Sequence, residues 1–299
     1  MKTHRVSGLD IQVPTNKAFA YETGKELPKL HQNCLIVGAR GSGKTVAAVN
    51  LLRMLPFDRI FCISPTVKSN HELMKKLNID PMDVHENPDD LTCLAKIREA
   101  VEKEAADLDK YEEDLRKYDK LMKTLNSTSP LFQVSDEDLE SFFKDGDFKK
   151  PEHKWGGRKP ICALLCDDCM GSQLFTKGIR QLNQLCIFHR HVGQLKKGGS
   201  IGISLFFLLQ SYLAQSGGIS KCIRNNATSL IVFSSKSEKQ LDEIASECSG
   251  EVNKEMFMKV YNHAIQQKHD FLFIDFFKKQ EHPSMFRRNF SEYILTDDD

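Results

Sequence analysis

A glycine-rich octapeptide between an apolar run and an amphipathic segment is the feature that most constrains how this chain folds. Residues 38–45 read GARGSGKT and match the pattern G-x-x-x-x-G-K-[ST] at every fixed position. The run Cys34–Val37 predicts a buried strand before it, and Val46–Leu55 has apolar residues at helical spacing after it. This order of strand, loop and helix favours a phosphate-binding loop over the alternative, a glycine-rich turn with an exposed lysine.

The chemistry of such a loop predicts a role for each of its parts. Glycines let backbone N–H groups turn toward phosphates, and the N-terminus of the following helix adds positive partial charge. We expect Lys44 to contact the β- and γ-phosphates and the Thr45 hydroxyl to bind Mg²⁺, so ATP and Mg²⁺ are the predicted cofactors. The predicted nucleotide-binding residues are Gly38, Ala39, Arg40, Gly41, Ser42, Gly43, Lys44 and Thr45.

Strand-like apolar runs alternate with helical patterns along most of the chain. This alternation predicts an α/β fold with a parallel central sheet flanked by helices. Helical spacing occurs at about 173–185, 237–248 and 253–266. The predicted strands after the first are Arg59–Ile63, Ile161–Cys166, Ile203–Leu209, Ser229–Phe233 and Phe271–Phe277.

Residues 91–150 interrupt this alternation. Ten positions from 94 to 125 follow one another in steps of three and four, and nine of them hold Leu, Ile, Val, Tyr or Met, with Glu104 as the exception. Such a heptad seam predicts an insertion that projects from the α/β core, either as one helix roughly 48 Å long or as a helical hairpin. The seam packs either on its own domain or against a partner. The predicted organisation is an arm (1–30), a core (31–90 and 155–277), a helical insertion with its linker (91–154) and a tail (278–299).

Composition excludes several classes of protein. Lys plus Arg is 42 and Asp plus Glu is 41, and the net charge of +1 excludes a protein that coats nucleic acid through an overall basic surface. Nine cysteines scattered through apolar runs predict reduced core thiols of an intracellular protein, with zinc ligation by the C-x-x-C at 166–169 as the alternative. The first ten residues lack a signal-peptide run, and no apolar run approaches the ~20 residues of a membrane span.

Two adjacent acids follow one of the predicted strands. The run Ile161–Cys166 leads directly into Asp167 and Asp168, and the carboxyl ends of parallel strands are where α/β sheets bind ligands. Beside a phosphate loop, the first acid is expected to hold Mg²⁺ and the second to orient and deprotonate the attacking water. A pair of aspartates that caps a helix is the alternative.

Further polar residues lie at other strand boundaries. Gln210 follows a fully apolar run and is expected to sense the γ-phosphate or hold the lytic water; the alternative is a cap of the next turn. Arg190 and Arg224 are candidates for an arginine that stabilises the transition state across a subunit interface, or each has a structural role. The loop with Lys196 and Lys197 either contacts DNA phosphates or is a solvated turn.

The ordered set GARGSGKT, LLCDD, the Arg190–His191 pair, LFFLLQS and IRNNAT resembles the DNA-packaging ATPases of the FtsK–HerA superfamily. The resemblance is strongest to the type found in poxviruses, other giant nucleocytoplasmic viruses and virophages, and it covers roughly residues 28–236 without the insertion. It implies a P-loop core of the ASCE, RecA-like class, with the glutamine strand between the phosphate-loop strand and the acid strand. Gln210 would then face the γ-phosphate.

The same resemblance implies a biological setting. Relatives of this type form rings of five or six copies and pump double-stranded DNA into a preformed capsid, so DNA, further copies of the chain and a capsid or portal-vertex protein are expected partners. The cytoplasmic viral factory of an infected cell, or the virion, is the expected location. Two features depart from the pattern: Asp168 stands where many relatives have Glu, and extra residues (QLKKGGSI) separate Arg190 from the glutamine strand.

Two other functions stay open at this stage. One is a helicase or plasmid-transfer motor of the same superfamily, which a strand-separation assay would distinguish from a packaging motor. The other is a nucleotide-gated scaffold that recruits a partner through the seam at 94–125. A signalling GTPase is disfavoured because no N-K-x-D motif occurs.

Overall fold

The computed structural model contains one large sheet and helices on both of its faces. It describes residues 21–70, 72, 75–126, 137, 140, 142–144, 147–213, 218–248 and 252–296. The strands of the large sheet are β1 (Asn33–Val37), β2 (Arg59–Ile63), β3 (Val84–His85), β6 (Cys162–Cys166), β7 (Ser204–Leu209), β8 (Ser229–Phe233), β9 (Phe271–Asp275), β10 (Phe286–Arg288) and β11 (Glu292–Tyr293). A separate two-stranded ribbon pairs β4 (Phe143–Lys144) with β5 (Asp147–Phe148). The α-helices are α1 (Lys44–Met54), α2 (Cys93–Leu125), α3 (Ile179–Phe188), α4 (Lys221–Asn225), α5 (Glu238–Glu247) and α6 (Lys254–Ala264).

The order of the strands in the large sheet is β11-β10-β9-β8-β1-β7-β6-β2-β3. Its centre, from β8 to β3, is parallel. Strand β7, which Gln210 follows, lies between the phosphate-loop strand β1 and the acid strand β6, as the family resemblance implied. The central strands are almost wholly apolar because helices cover them on both faces. The predicted α/β class with helices on both faces and a long inserted helix is confirmed.

The direction of one predicted strand differs from expectation. Strand β9 pairs antiparallel with β8, so the sheet is mixed and not wholly parallel. Two helices, α5 and α6, connect β8 to β9. Strand β9 therefore begins at the same edge of the sheet where β8 ends, beside Phe233, and runs in the opposite direction. The apolar content of Phe271–Phe277 resembles that of the parallel strands and carries no information about direction.

The C-terminal residues extend the sheet. Residues 278–299 were predicted as a tail, but 278–296 contribute β10 and β11, each antiparallel to its neighbour. This segment also holds the chain before β1. Lys279 Nζ donates to the Thr23 and Gly24 carbonyls at 3.1 and 2.9 Å, and His282 Nε2 lies 2.8 Å from the Lys25 carbonyl. The part of the predicted arm that the structure describes is therefore fixed to the sheet, while residues 1–20 lie outside the described residues.

Helix α2 is the predicted insertion and runs without a break for 33 residues. Its N-terminal half is part of the main core, which contains Leu94, Ile97 and Val101 of the seam. This half therefore packs on its own domain. The exception in the seam, Glu104, is buried and accepts hydrogen bonds from Arg59 Nη1 at 2.8 Å and Trp155 Nε1 at 2.6 Å. Burial of this carboxylate is possible because both of its oxygens have strong donors.

All nine cysteines are free thiols, and eight of them are buried. Burial raises the pKa of Cys166, Cys169 and Cys186, so these thiols are kept neutral. Among the residues that the structure describes, no cluster of three or more His, Cys, Asp or Glu side chains is arranged to hold a metal ion. Nor does any described helix combine the length and the apolar content that crossing a membrane requires.

Candidate nucleotide site

The phosphate loop connects β1 to α1, and its glycines have distinct structural reasons. Gly41 and Gly43 have φ of 75° and 108°, a region that residues with a Cβ rarely occupy. Gly38 is required by space, because a Cβ there would lie 2.6 Å from Ser42 Oγ and 2.8 Å from Phe233 Cβ. The backbone is therefore held in the tight turn that leads into the helix N-terminus at Lys44.

The Lys44 side chain folds back over this loop. Its Nζ donates to the Gly38 carbonyl at 2.7 Å and to the Ala39 carbonyl at 3.0 Å. Partial burial lowers the pKa of Lys44, and the nearby Asp167 and Asp168 oppose this shift. The ammonium group thus stands inside the turn of the loop, beside the free N–H groups of the α1 N-terminus.

Asp167 is delivered to the same place by the end of β6. Its side chain is only 4% exposed, and burial together with the neighbouring Asp168 raises its pKa to about 6. Its Oδ2 lies 3.5 Å from Thr45 Oγ1 and 3.4 Å from Asn70 Nδ2, which are long hydrogen bonds. Asn70 was not among the predicted residues. It follows β2, the neighbour of β6, but an isolated asparagine seven residues beyond a strand carries no signal in the sequence.

These oxygens have the chemistry of a Mg²⁺ site. Mg²⁺ binds through one or two carboxylates or hydroxyls and keeps other positions for water and phosphate oxygens. The Thr45 hydroxyl and the buried Asp167 carboxylate, 3.5 Å apart, provide two such ligands. Burial and Asp168 raise the pKa of Asp167 although Lys44 and Thr45 oppose the shift, so a bound cation would stabilise its charged form further. The residues present therefore fit Mg²⁺.

Asp168 and Gln210 are joined across the two neighbouring strands. Asp168 has φ of 55°, a left-handed conformation that aspartate tolerates better than most residues. Its exposed Oδ1 accepts a hydrogen bond from Gln210 Nε2 at 3.0 Å. The structure thus brings Lys44, Thr45, Asp167, Asp168 and Gln210 to one edge of the sheet.

Arg190 lies at the other edge. It is exposed, in the 3₁₀ turn His189–His191, and the neighbouring His189 carbonyl accepts a hydrogen bond from Ile203 N at 2.9 Å, just before β7. The six residues of β7 span roughly 20 Å between this turn and Gln210. Arg190 therefore does not join the site of its own chain.

Arg224 has partners within the chain. Its side chain is 10% exposed, its Nε donates to Glu247 at 2.9 Å, and its guanidinium lies 5.2 Å from the centre of the Tyr212 ring. A second carboxylate, Glu243, lies 3.4 Å away. These contacts describe an arginine that joins α4 to α5.

Lys196 and Lys197 lie in a turn closed by the bridge between Gln194 and Ser200. The turn rests on α2, where Lys197 Nζ lies 2.5 Å from Glu112 and Lys196 Nζ lies 3.9 Å from Glu113. Both lysine side chains are more than half exposed. The turn is therefore accessible, but its charge is balanced in part by acids of the helix.

Comparison with known proteins adds solved structures to these observations. Neither a protein-family model nor a curated protein matches this chain. The structure is similar to the genome-packaging NTPase B204 of Sulfolobus turreted icosahedral virus 2 in complex with ATP-γ-S, with 13% identity, a TM-score of 0.38 and coverage of 86% of this chain and 96% of B204. It is also similar to the pCW3 conjugation coupling protein TcpA with ATP-γ-S, with 18% identity, a TM-score of 0.43 and coverage of 88% of this chain and 62% of TcpA.

The names of these two structures describe those proteins and not this chain. One is named as a genome-packaging NTPase and the other as a conjugation coupling protein. The fold assignment itself rests on the strand order and on the loop geometry described above. By these features the chain has the fold of a P-loop NTPase, with a glutamine strand between the phosphate-loop strand and the acid strand.

Proposed function

We propose that this protein is an ATP-hydrolysing motor of the FtsK–HerA superfamily that translocates double-stranded DNA, of the type that packages a viral genome into a preformed capsid. The observation that carries the proposal is the convergence of Gln210, Asp168 and Asp167 beside a phosphate loop, with 3.0 Å between Gln210 Nε2 and Asp168 Oδ1. A glutamine and a base in contact, next to a buried acid, suit attack of water on a γ-phosphate.

In this proposal each side chain has one task. Lys44 leaves the carbonyls of Gly38 and Ala39 and contacts the β- and γ-phosphates. Thr45 and Asp167 would hold Mg²⁺, and the bound ion would supply positive charge against the negative charge that develops on the phosphates in the transition state. Asp168 accepts the proton of the attacking water. Gln210, whose backbone position is set by β7, orients that water and keeps Asp168 turned toward it.

The transition-state arginine is assigned to a neighbouring copy. Because Arg190 is exposed at the edge of the sheet opposite the phosphate loop, it is available to a second subunit, whereas Arg224 already contacts two glutamates. In a ring of five or six copies, Arg190 of one copy would reach the nucleotide of the next. The turn with Lys196 and Lys197 would contact DNA phosphates, and a capsid or portal-vertex protein would hold the ring in the infected cell.

The test is ATP hydrolysis by the purified protein with Mg²⁺, with and without long double-stranded DNA. We expect stimulation by DNA in the wild type and loss of hydrolysis in Lys44→Ala. An Arg53→Ala variant, which changes a basic residue in the last turn of α1, is the matched control and should retain activity. Normal hydrolysis by Lys44→Ala would contradict the assignment of the phosphate loop.

Two further outcomes would change the proposal in defined ways. Unwinding of a duplex by the protein would favour a helicase over a packaging motor. Hydrolysis that is indifferent to DNA would favour a nucleotide-gated scaffold that recruits a partner through the seam at 94–125. Salt sensitivity without sequence preference is expected if the motor grips the phosphate backbone.

A further inference from the structure

We infer that His269 is a positioning residue of the nucleotide site, which orients one peptide group of the phosphate loop toward bound phosphate. The inference rests on the proposed function, since it assigns a further residue to the same site. His269 lies immediately before β9, outside all the motifs that the sequence presents. Its Nδ1 lies 2.9 Å from the carbonyl oxygen of Ser42, inside the phosphate loop.

The contact fixes the direction of a backbone donor. The Ser42 carbonyl can only accept, so His269 Nδ1 carries the proton and donates it. In a trans peptide the carbonyl and the following N–H point in opposite directions. The hydrogen bond to Ser42 therefore directs the Gly43 N–H away from His269. Gly43 is the N-cap of α1, where N–H groups lack partners within the helix and are available to an anion.

The loop that carries His269 is rigidly held. Asp270 Oδ2 accepts hydrogen bonds from Gln267 N at 2.9 Å and from Arg288 Nη2 at 2.8 Å, and its Oδ1 accepts from Asn289 Nδ2 at 3.1 Å. These contacts connect the loop to the end of β10. Strand β10 and the residue after it therefore fix the loop that positions the His269 imidazole.

The backbone at His269 also indicates a specific need for this side chain. Its φ is 74°, a conformation that costs most residues free energy and that Asn, Asp and His tolerate best. Gly43 faces the ring closely, because a Cβ at Gly43 would lie 3.4 Å from His269 Nδ1. The loop therefore accepts an unusual conformation at a position where the side chain touches the phosphate loop.

Two substitutions separate the hydrogen bond from the backbone conformation. His269→Gly keeps the positive φ without strain and removes the donor. His269→Asn tolerates the same φ, and its Nδ2 is as many bonds from the backbone as Nδ1 of histidine, so it restores a donor. His263→Ala, at an exposed histidine on α6, is the matched control.

The experiment measures the affinity of the full chain for a fluorescent, slowly hydrolysed ATP analogue with Mg²⁺, and KM and kcat for ATP. We expect His269→Gly to weaken analogue binding by about 3- to 10-fold and to raise KM more than it lowers kcat, which is the effect of one misdirected hydrogen bond. His269→Asn and His263→Ala should stay within about twofold of the wild type. Thermal unfolding without nucleotide should be the same in all four proteins, which shows that folding is intact.

The outcomes distinguish this inference from the proposed function. Wild-type affinity in His269→Gly, or equal losses in His269→Gly and His269→Asn, would overturn the role of the His269 donor and leave the ATPase intact. A wild-type protein that neither binds the analogue nor hydrolyses ATP would overturn the proposed function, and the inference with it.

Discussion

Buried carboxylates lie near both ends of the strand pair β2–β6. The two ends differ in the partners that balance the charge of these carboxylates. At the end where β2 begins, Asp83 and Glu104 are 4% and 6% exposed and share the guanidinium of Arg59. At the other end, Asp167 is 4% exposed, and its side-chain hydrogen bonds to the Asn70 amide and the Thr45 hydroxyl are long, at 3.4 and 3.5 Å. The carboxylates at the two ends are therefore equally buried, but their negative charges are balanced to different degrees.

The difference separates a structural cluster from a binding site. Hydrogen bonds of 2.6 to 2.8 Å occupy the oxygens of the first pair, and the two acids raise the pKa of Arg59. The pKa of Asp167 is raised by burial and by Asp168, although Lys44 and Thr45 act against the shift. Its charge is therefore only partly compensated, and a bound cation would stabilise it. Carboxylates with shifted pKa values of this kind are concentrated at functional sites.

The largest expected effect is on the rate at the site. Asp168→Asn keeps the shape of the side chain and tolerates φ of 55°, but it removes the carboxylate that we propose as the proton acceptor. We expect kcat for ATP to fall by roughly 10²- to 10⁴-fold, with no loss of stability. Steady-state hydrolysis measures the rate, and denaturant unfolding checks the fold. Retention of more than a tenth of the activity would show that Asp168 is not the base.

The matching change in the structural cluster should affect stability alone. Glu104→Ala leaves Trp155 Nε1 without its partner and leaves Arg59 with Asp83 alone. Removing one partner from a buried charged cluster in this way costs about 3–5 kcal/mol. Chemical denaturation measures this loss, and kcat per folded molecule should be unchanged. Glu102→Ala is the control on the same helix, because the exposed pair of Glu102 with Arg98 contributes at most about 0.5 kcal/mol. A smaller cost for Glu104→Ala than for Glu102→Ala would contradict the comparison.

A pH series without Mg²⁺ and nucleotide tests the partly compensated charge of Asp167. Because the pKa of Asp167 is about 6 in the folded protein and 3.8 when the carboxyl group is fully exposed to water, its contribution to stability is complete below pH 4 and is lost as the pH rises through 6. Relative to Asp167→Asn, the wild type should lose about 2 to 3 kcal/mol of unfolding free energy between pH 4 and 7. Mg²⁺ at pH 7 should restore stability to the wild type and not to the variant. Parallel pH curves for the two proteins would show that Asp167 carries no unusual charge.

The smallest effect is expected for Gln210, which in the proposed mechanism orients the attacking water and contacts Asp168. Gln210→Ala removes the 3.0 Å hydrogen bond to Asp168 but leaves the base and the phosphate loop in place. We expect kcat to fall by about 10-fold, close to the worth of one hydrogen bond to a charged group, with KM nearly unchanged. Gln184→Ala, at a glutamine on the exposed side of α3, is the control. A loss as large as that of Asp168→Asn would show that Gln210 contributes as much to the reaction as the proposed base.

The site and the fold were predictable to different degrees. Lys44 and Thr45 belong to a contiguous motif, and Asp167, Asp168 and Gln210 directly follow apolar runs, so strand ends predict one edge of the sheet for them. The strand order that brings Gln210 beside the acids was implied by the family resemblance. Asn70 and His269 have no such local signal, since one lies in a turn and the other lies 227 residues from the carbonyl it contacts. The direction of β9 and the strands β10 and β11 were also not predicted.

The amino-acid sequence by itself determined the phosphate loop, the apolar strands that deliver polar residues to one edge of a sheet, and the long helix α2. Each of these depends on residues that are close in the chain, where spacing and glycine content limit the conformation directly. Three contacts are visible only in the tertiary structure: the ion pair of Glu104 with Arg59, the ion pairs of Arg224 with two glutamates, and the hydrogen bond of His269 to the phosphate loop. These pairings join groups that are distant in the chain and close in the folded structure. A buried charge or donor without a partner is costly in free energy, so the partner that the fold places nearby determines its role.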